Sequence, residues 1–146
     1  MSPLIALAFL GGLLLVSVLI ILLLRARNGR VSRPASDDRI EPGVLGVSVL
    51  GERATIVQFS TEVCARCPGT RRVLSALVDT REDVDFVHVD VTHQPVLASR
   101  FNLLQTPTVL LLDARGNATA RLSGVIARDT VVTELDAILE GSHARG

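Results

Sequence analysis

Residues 61–69 read Thr-Glu-Val-Cys-Ala-Arg-Cys-Pro-Gly and hold both cysteines of the chain, Cys64 and Cys67. The stretch follows an apolar run typical of a β-strand, residues 54–59, and precedes a run typical of a helix, residues 71–78. Two cysteines placed at random in this chain would fall at CxxC spacing only about once in 70 cases, so the spacing is informative. A CxxC that ends a strand and opens a helix is the arrangement that a dithiol redox site needs.

Other uses of the two cysteines are weaker. They are too few for a disulfide-stapled scaffold, and a bridge across so short a loop constrains little chain entropy. A buried, inert pair remains the structural alternative. His88 and His93 raise the possibility of a metal site, but a closed zinc site takes four ligands. Because the two cysteines and one distant histidine supply too few metal ligands, we predict no bound metal.

Composition limits the classes of function. The chain has 146 residues, with 15 basic and 15 acidic side chains, which fits one domain and an accessory segment. No basic patch carries interleaved aromatic residues, so no nucleic-acid partner is predicted. The high hydrophobic content, 48%, is concentrated in residues 3–24.

Residues 3–24 contain no charged side chain, and about 20 apolar residues cross a bilayer as a helix. A cleaved signal peptide would need a basic start, a shorter apolar stretch and a small-x-small cleavage site. Residues 1–3 carry no basic side chain, and Leu24 is followed directly by Arg25. We therefore predict a retained transmembrane anchor at residues 1–24 that contacts the lipid bilayer through residues 3–24.

The charges after this segment predict its orientation. Arg25, Arg27, Arg30 and Arg33 follow the apolar run, and the positive-inside rule places such a cluster in the cytoplasm. A single-pass protein of the cell membrane with a cytoplasmic domain is the prediction, and an extracytoplasmic domain is the alternative. Residues 25–43 are polar, without apolar periodicity, and are predicted to be a flexible tether.

Residues 44–141 alternate between strand and helix patterns, and residues 142–146 are predicted to be a frayed tail. Together the segments predict an α/β fold with a central mixed sheet and helices on both faces. The predicted strands are a short one at 47–50 and longer ones at 54–59, 84–91, 109–112 and 118–122. A helix is predicted at 92–101, capped by Thr92 or His93 and ended by Asn102, and another at 130–139. A hairpin turn is predicted at 113–117, with Gly116 at positive φ.

These features resemble the thioredoxin-like superfamily over about residues 44–141. The resemblance rests on the strand at 56–59, the Cys64–Cys67 motif, the strand ending at Asp90, the Thr106-Pro107-Thr108 segment, the turn at Gly116, and Gly124 before the last helix. It implies a three-layer thioredoxin-like fold behind one N-terminal transmembrane helix. It also implies a thiol–disulfide oxidoreductase that needs no bound organic cofactor but does need an external electron donor. The substrate would be a disulfide-bearing protein or small molecule.

Site roles follow from the motif and the resemblance. Cys64 is expected at the helix start, where free N–H groups stabilise a thiolate, so it is the predicted attacking thiol. Cys67, one turn later, is the resolving thiol. Arg66 adds a cation that is expected to lower the thiol pKa. The resemblance makes Thr106-Pro107 a cis peptide that faces the cysteines and binds substrate, whereas without it a trans proline at the start of an edge strand is expected.

Five positions depart from the superfamily pattern. Val63 stands where tryptophan usually precedes the first cysteine, and Ala65-Arg66 replaces Gly-Pro. Gln58 occupies the place of a buried acid, and Phe86 is assigned to the lysine that often partners that acid. Because an amide cannot relay a proton, a slower resolving step is expected.

Two further functions stay open at this stage. The first is a redox sensor or adaptor that uses the fold for docking and the cysteine pair as a switch. The second, weaker alternative is a metal chaperone. Repeated reduction of a protein disulfide would indicate an enzyme, whereas a single stoichiometric oxidation would indicate a sensor.

Overall fold

The computed structural model describes residues 2–27, 31–34 and 39–143. Arg30, in the predicted orientation signal, and residues 144–146, in the predicted tail, lie outside this part of the chain. The described elements follow in the order α1 (Pro3–Arg27), a short 3₁₀ helix (Pro42–Leu45), β1 (Ala54–Ser60), α2 (Cys67–Val78), β2 (Val84–Asp90), α3 (Pro95–Arg100), β3 (Thr108–Asp113), β4 (Ala118–Ser123) and α4 (Arg128–His143).

The four strands form one mixed sheet in the order β2-β1-β3-β4. β2 runs parallel to β1, and β3 and β4 each run antiparallel to the strand before them in that order. Every residue of β1 is buried, as expected for a central strand covered on both faces. The site-bearing end of β1, at Ser60, therefore emerges from the middle of the sheet.

Helices cover both faces of the sheet. α2 and α4 cover one face with Leu74, Leu77, Val131 and Leu135. On the other face, α3 and the segment around the 3₁₀ helix pack on Val57 and Phe59 of β1, among others. The ring centroids of Phe59 and Phe101, the residue after α3, lie 4.8 Å apart. The predicted three-layer fold is confirmed.

Three local predictions are wrong. Residues 47–50 form no strand; Val47 and Leu50 pack against the core beside Leu45, and packing of that kind needs no strand pairing. Neither Thr92 nor His93 caps α3, which begins at Pro95 after Gln94. The reason is that the Thr92 Oγ1 accepts a hydrogen bond from the Glu62 N–H and donates one to the Asp90 carboxylate, so its oxygen is directed away from the N–H groups of α3 that a cap would accept from.

The third correction concerns Cys64, which lies before α2 rather than at its start. The Cys64 carbonyl accepts a hydrogen bond from the Cys67 N–H at 3.3 Å, a tight turn. The helical partner of that carbonyl would be the N–H of residue 68, which is proline and has none. The first helical hydrogen bond lies two residues further on, where the Thr70 N–H donates to the Arg66 carbonyl.

Positive φ angles occur where turns were predicted. Asn102, at the end of α3, has φ 47°, and Gly116 and Gly124 have φ 84° and 80°. Gly116 lies in the turn between β3 and β4, where its N–H donates to the Asp113 carbonyl. These residues make the reversals that return the chain to the sheet.

The segment predicted as a tether contacts the sheet at described positions. Ser32 and Arg121 of β4 exchange two backbone hydrogen bonds of 2.8 Å, and the Ile40 N–H donates to the Gly116 carbonyl at 2.9 Å. Ile40 is buried. The domain bounds remain a prediction, but these contacts run along the outer edge formed by β4 and its turn.

α1 is a candidate membrane span. It is uncharged from Pro3 to Leu24, and none of its described length is buried against the rest of the protein. A core helix of a soluble domain would bury one face, whereas the described apolar side chains of α1 are exposed all around, as in a membrane span or a signal sequence.

Gly51→Ala is expected to lower the free energy of unfolding by about 2 kcal/mol, because overpacking at a fixed backbone forces strands apart. A Cβ at Gly51 would lie 2.1 Å from the Ala54 carbonyl oxygen and 2.7 Å from the Asp85 nitrogen. Gly69→Ala in α2 is the matched control, since nothing lies within 4 Å of its added Cβ. Urea unfolding of both variants in detergent gives the comparison; equal midpoints would contradict the packing argument.

Candidate active site

Cys64 and Cys67 form a disulfide between the end of β1 and the start of α2. The S–S distance is 2.05 Å and the Cα atoms lie 5.5 Å apart. The predicted pairing of the two cysteines at the junction of a strand and a helix is therefore present. The two residues differ in exposure, since Cys64 is half-buried and Cys67 is only 5% exposed. An external thiol or disulfide has better access to the Cys64 sulfur.

Gln58 lies beneath the disulfide, in the middle of β1. Its side chain is fully buried, and its Nε2 donates a hydrogen bond to the Cys67 carbonyl at 3.0 Å. Its Oε1 is buried without a hydrogen-bond partner among the described residues. The amide holds the backbone of Cys67 in place, but it does not titrate and therefore cannot take up or release a proton at neutral pH.

His88 is the residue beside Gln58 on the neighbouring strand. The parallel register pairs Gln58 with His88 and Ile56 with Phe86, so Phe86, the predicted counterpart of the family's lysine, lies two residues along β2 from the position beside Gln58. The His88 Nε2 lies 2.5 Å from the Ser60 Oγ. Burial and the Arg71 guanidinium lower the pKa of His88, while the Asp90 carboxylate opposes them.

One cavity joins these groups. It has a volume of about 420 Å³, and its walls include Ser60, Cys64, Cys67, Arg71, His88 and Asp90. The cavity is large enough to hold several water molecules. The disulfide, the serine hydroxyl and the imidazole thus border the same space.

A second loop approaches the disulfide from β3. The Thr106–Pro107 peptide is cis, as the resemblance implied. The Thr106 Oγ1 lies 3.2 Å from the Oγ1 of Thr61, in the loop that leads to Cys64. The Gly124 N–H donates to the Pro107 carbonyl. In the part of the chain that the structure describes, the backbone N–H and C=O of Thr106 make no hydrogen bond.

The thioredoxin family model matches residues 47–137, more than half of the chain.

The chain belongs to the thioredoxin family.

Individual relatives agree with this placement. Thioredoxin H2 of Arabidopsis thaliana is 36% identical over 69 residues, which cover 47% of this chain and 51% of that protein. The match thus spans about half the length of the curated relative. Among solved structures, the alignment with a designed protein has a TM-score of 0.53 at 22% identity, and it covers 61% of this chain and 78% of that protein. The alignment with a mutant thioredoxin from Halobacterium salinarum has a TM-score of 0.54 at 19% identity, and it covers 60% of this chain and 76% of that protein. At these identities the structural likeness shows the fold.

This thioredoxin domain carries exposed apolar side chains next to the disulfide and the proline loop. Val63, which precedes Cys64, is 93% exposed, and Val125, which follows Gly124, is 51% exposed. Their exposure leaves both side chains available for apolar contact with a partner. The sequence analysis noted Val63 only as a departure from the family and missed Val125.

The site region also contains an arginine, a histidine and a glutamate: Arg66, His93 and Glu62. Arg66 is exposed at the N-cap of α2 and makes no ion pair with any described residue. His93 lies on the surface, 4.0 Å from the Glu62 carboxylate. Among the described residues, no three histidine, cysteine, aspartate or glutamate side chains come together as metal ligands.

Sequence reasoning missed Ser60 and His88 as parts of the site. A signal was present, because His88 has the same parity along β2 as Val84 and Phe86, which pack with α2 on one face of the sheet. That parity predicts that His88 faces the helix after the CxxC motif.

Proposed function

We propose that this chain is a membrane-tethered thiol–disulfide oxidoreductase in which Cys64 attacks and Cys67 resolves. The unequal exposure of the two bonded cysteines carries the proposal: Cys64 is half-buried beside the cavity, and Cys67 is 5% exposed. An exposed attacking sulfur and a covered resolving sulfur within bonding distance are the two parts that disulfide exchange requires.

The reaction balances as follows. In the reduced protein the Cys64 thiolate attacks one sulfur of a substrate disulfide, that S–S bond breaks, and one substrate thiolate leaves. The Cys67 sulfur loses its proton and attacks the Cys64 Sγ, and the second substrate thiolate leaves. The substrate gains two electrons, its two thiolates take up the Cys67 proton and one proton from water, and the protein ends as the Cys64–Cys67 disulfide. An external dithiol donor restores the reduced form.

Thr106 and Pro107 are proposed to bind the substrate. The unpaired backbone groups of Thr106 lie beside the loop of Cys64, where an extended substrate segment can pair with them. Val63 and Val125 offer apolar contacts on either side. This arrangement favours an unfolded or extended protein segment over a compact small disulfide.

The test is catalysed reduction of insulin by the full chain in detergent, with dithiothreitol as the electron donor. The enzyme reaction predicts many insulin disulfides reduced per protein molecule, at a rate above that of dithiothreitol alone. A single equivalent of oxidation without turnover would indicate the redox sensor or adaptor instead.

Arg66→Glu is expected to lower the reduction potential of the cysteine pair by about 10 to 20 mV, because an exposed charge beside the thiolate has a modest effect. The cation at position 66 favours the thiolate and hence the reduced form, and an anion disfavours it. Equilibration with glutathione buffers measures the potential. Arg115→Glu, in the turn at the other end of β3, is the matched control, and an equal potential for both variants would contradict a role for Arg66.

The arginines that follow the uncharged run, beginning with Arg25, support a cytoplasmic domain. A membrane-impermeant thiol reagent applied to intact cells is then expected to leave Cys64 and Cys67 unlabelled, with or without prior reduction. Labelling in intact cells would place the domain outside, and labelling only after reduction would indicate an oxidised pair there.

A further inference from the structure

We propose that His88, acting through Ser60, accepts the proton of Cys67 when Cys67 resolves the mixed disulfide. The inference rests on the proposed exchange reaction and adds a proton acceptor to it. It arises from two features: the buried side chain that hydrogen-bonds the Cys67 backbone is an amide that cannot take a proton, and an imidazole borders the same cavity as Cys67.

The contacts supply a path for the proton. The Ser60 Oγ lies 2.5 Å from the His88 Nε2, and Ser60 is 3% exposed. In the neutral tautomer with its proton on Nδ1, His88 accepts a hydrogen bond from the Ser60 hydroxyl at Nε2. The Ser60 oxygen can then accept the Cys67 proton through a water molecule, for which the cavity shared by the two residues has room. Ser60 is the last residue of β1, which also carries Gln58, so both groups are fixed by the same buried strand.

The charges around His88 keep it ready to accept a proton. Arg71 and Arg72 of α2, Asp90 of β2 and Glu62 of the loop after β1 border the cavity with it. Burial and Arg71 lower the pKa of His88, and Asp90 raises it. The net lowering leaves the imidazole neutral at pH 7, and only the neutral form can accept.

The step is balanced in atoms and electrons. The Cys67 proton moves to Ser60, whose own proton moves to the His88 Nε2. The Cys67 sulfur forms a bond to the Cys64 Sγ, the bond between Cys64 and the substrate sulfur breaks, and the substrate leaves as a thiolate with the electron pair. His88 then releases its proton to the departing thiolate or to water, which returns it to the neutral form.

The experiment uses the reduced full chain in detergent and dithiobis(nitrobenzoate) in excess, followed by stopped-flow absorbance. The first nitrothiobenzoate reports attack by Cys64, and the second reports resolution by Cys67. In the unmodified protein the rate of the second phase should rise with pH through the pKa of His88, below the ordinary histidine value, and then level off near neutrality. Without a proton acceptor it should instead rise about tenfold per pH unit, following the thiolate fraction of Cys67.

His88→Gln keeps a hydrogen-bonding side chain but removes the base that accepts the proton. It should slow the second phase at pH 7 by about tenfold or more, abolish the plateau and leave the first phase within about twofold. Imidazole added to His88→Ala should restore part of the second-phase rate. His93→Gln, a substitution of the exposed histidine, is the matched control and should change neither phase.

The outcomes separate this inference from the function on which it rests. Loss of both phases in the unmodified protein would overturn the exchange reaction itself. Two phases with no plateau in the unmodified protein, or a plateau that survives in His88→Gln, would overturn the role of His88 alone. If His88→Gln fails to fold, the profile of the unmodified protein and a slowed second phase in Ser60→Ala still decide the question.

Discussion

Cys67→Ser is expected to convert turnover into accumulation of a mixed disulfide between Cys64 and the substrate. Cys64 remains half-buried and able to attack, but the serine hydroxyl cannot displace the substrate sulfur. Because the resolving thiol is held within bonding distance of Cys64, its loss should slow multiple turnover by at least about a thousandfold, the scale of a well-oriented intramolecular reaction. Intact-protein mass spectrometry should show the added substrate mass, removable by dithiothreitol.

The matched variant is Cys64→Ser, which removes the attacking sulfur. It should lose turnover equally but accumulate no adduct, because Cys67 is only 5% exposed. The two substitutions preserve side-chain size, and the hydrogen bond from Gln58 reaches the backbone of residue 67 rather than its sulfur, so the local fold should persist. An adduct on Cys64→Ser and none on Cys67→Ser would reverse the assigned roles.

The sequence predicted the parts of this site that depend on local pattern. The apolar run of β1 and the CxxC spacing are continuous in the chain, so the junction that carries the disulfide was predictable. The cis peptide at Pro107 was expected only through the resemblance, since a proline in this context is otherwise expected to be trans. The position of Cys64 ahead of α2 depends on the absent N–H of Pro68, which the sequence contains but the pattern of apolar residues does not report.

The parts that were missed depend on register between distant strands. β1 and β2 are parallel and joined through α2, so no tight turn fixes which residues face each other. His88 lies beside Gln58, and this pairing was not predicted because it depends on that register. The same limit explains why Val125 was missed. Its position near the site depends on the hydrogen bond from the Gly124 N–H to the Pro107 carbonyl. A site assembled from three loops at one end of a sheet is only partly encoded in any one of them.

Leu13→Arg combined with Val16→Arg is expected to abolish membrane retention of the chain. α1 runs for 25 residues, about 37 Å at 1.5 Å per residue, which exceeds the roughly 30 Å of bilayer hydrocarbon. Both positions lie near the centre of the uncharged run, and each arginine there costs about 2.5 to 3.5 kcal/mol of insertion free energy. Carbonate extraction of membranes should leave the unmodified chain in the pellet and release the double variant.

Leu23→Arg combined with Leu24→Arg is the matched control, because it adds the same charge next to Arg25, where long side chains reach the headgroups. That variant should stay in the pellet, which would show that depth in the bilayer rather than added charge decides retention. The mass of the membrane-bound protein should include residues 1–24, whereas a chain that begins after them would identify a cleaved leader. Equal release of both variants would mean that α1 lies on the membrane surface, since only a helix that spans the bilayer distinguishes its centre from its end.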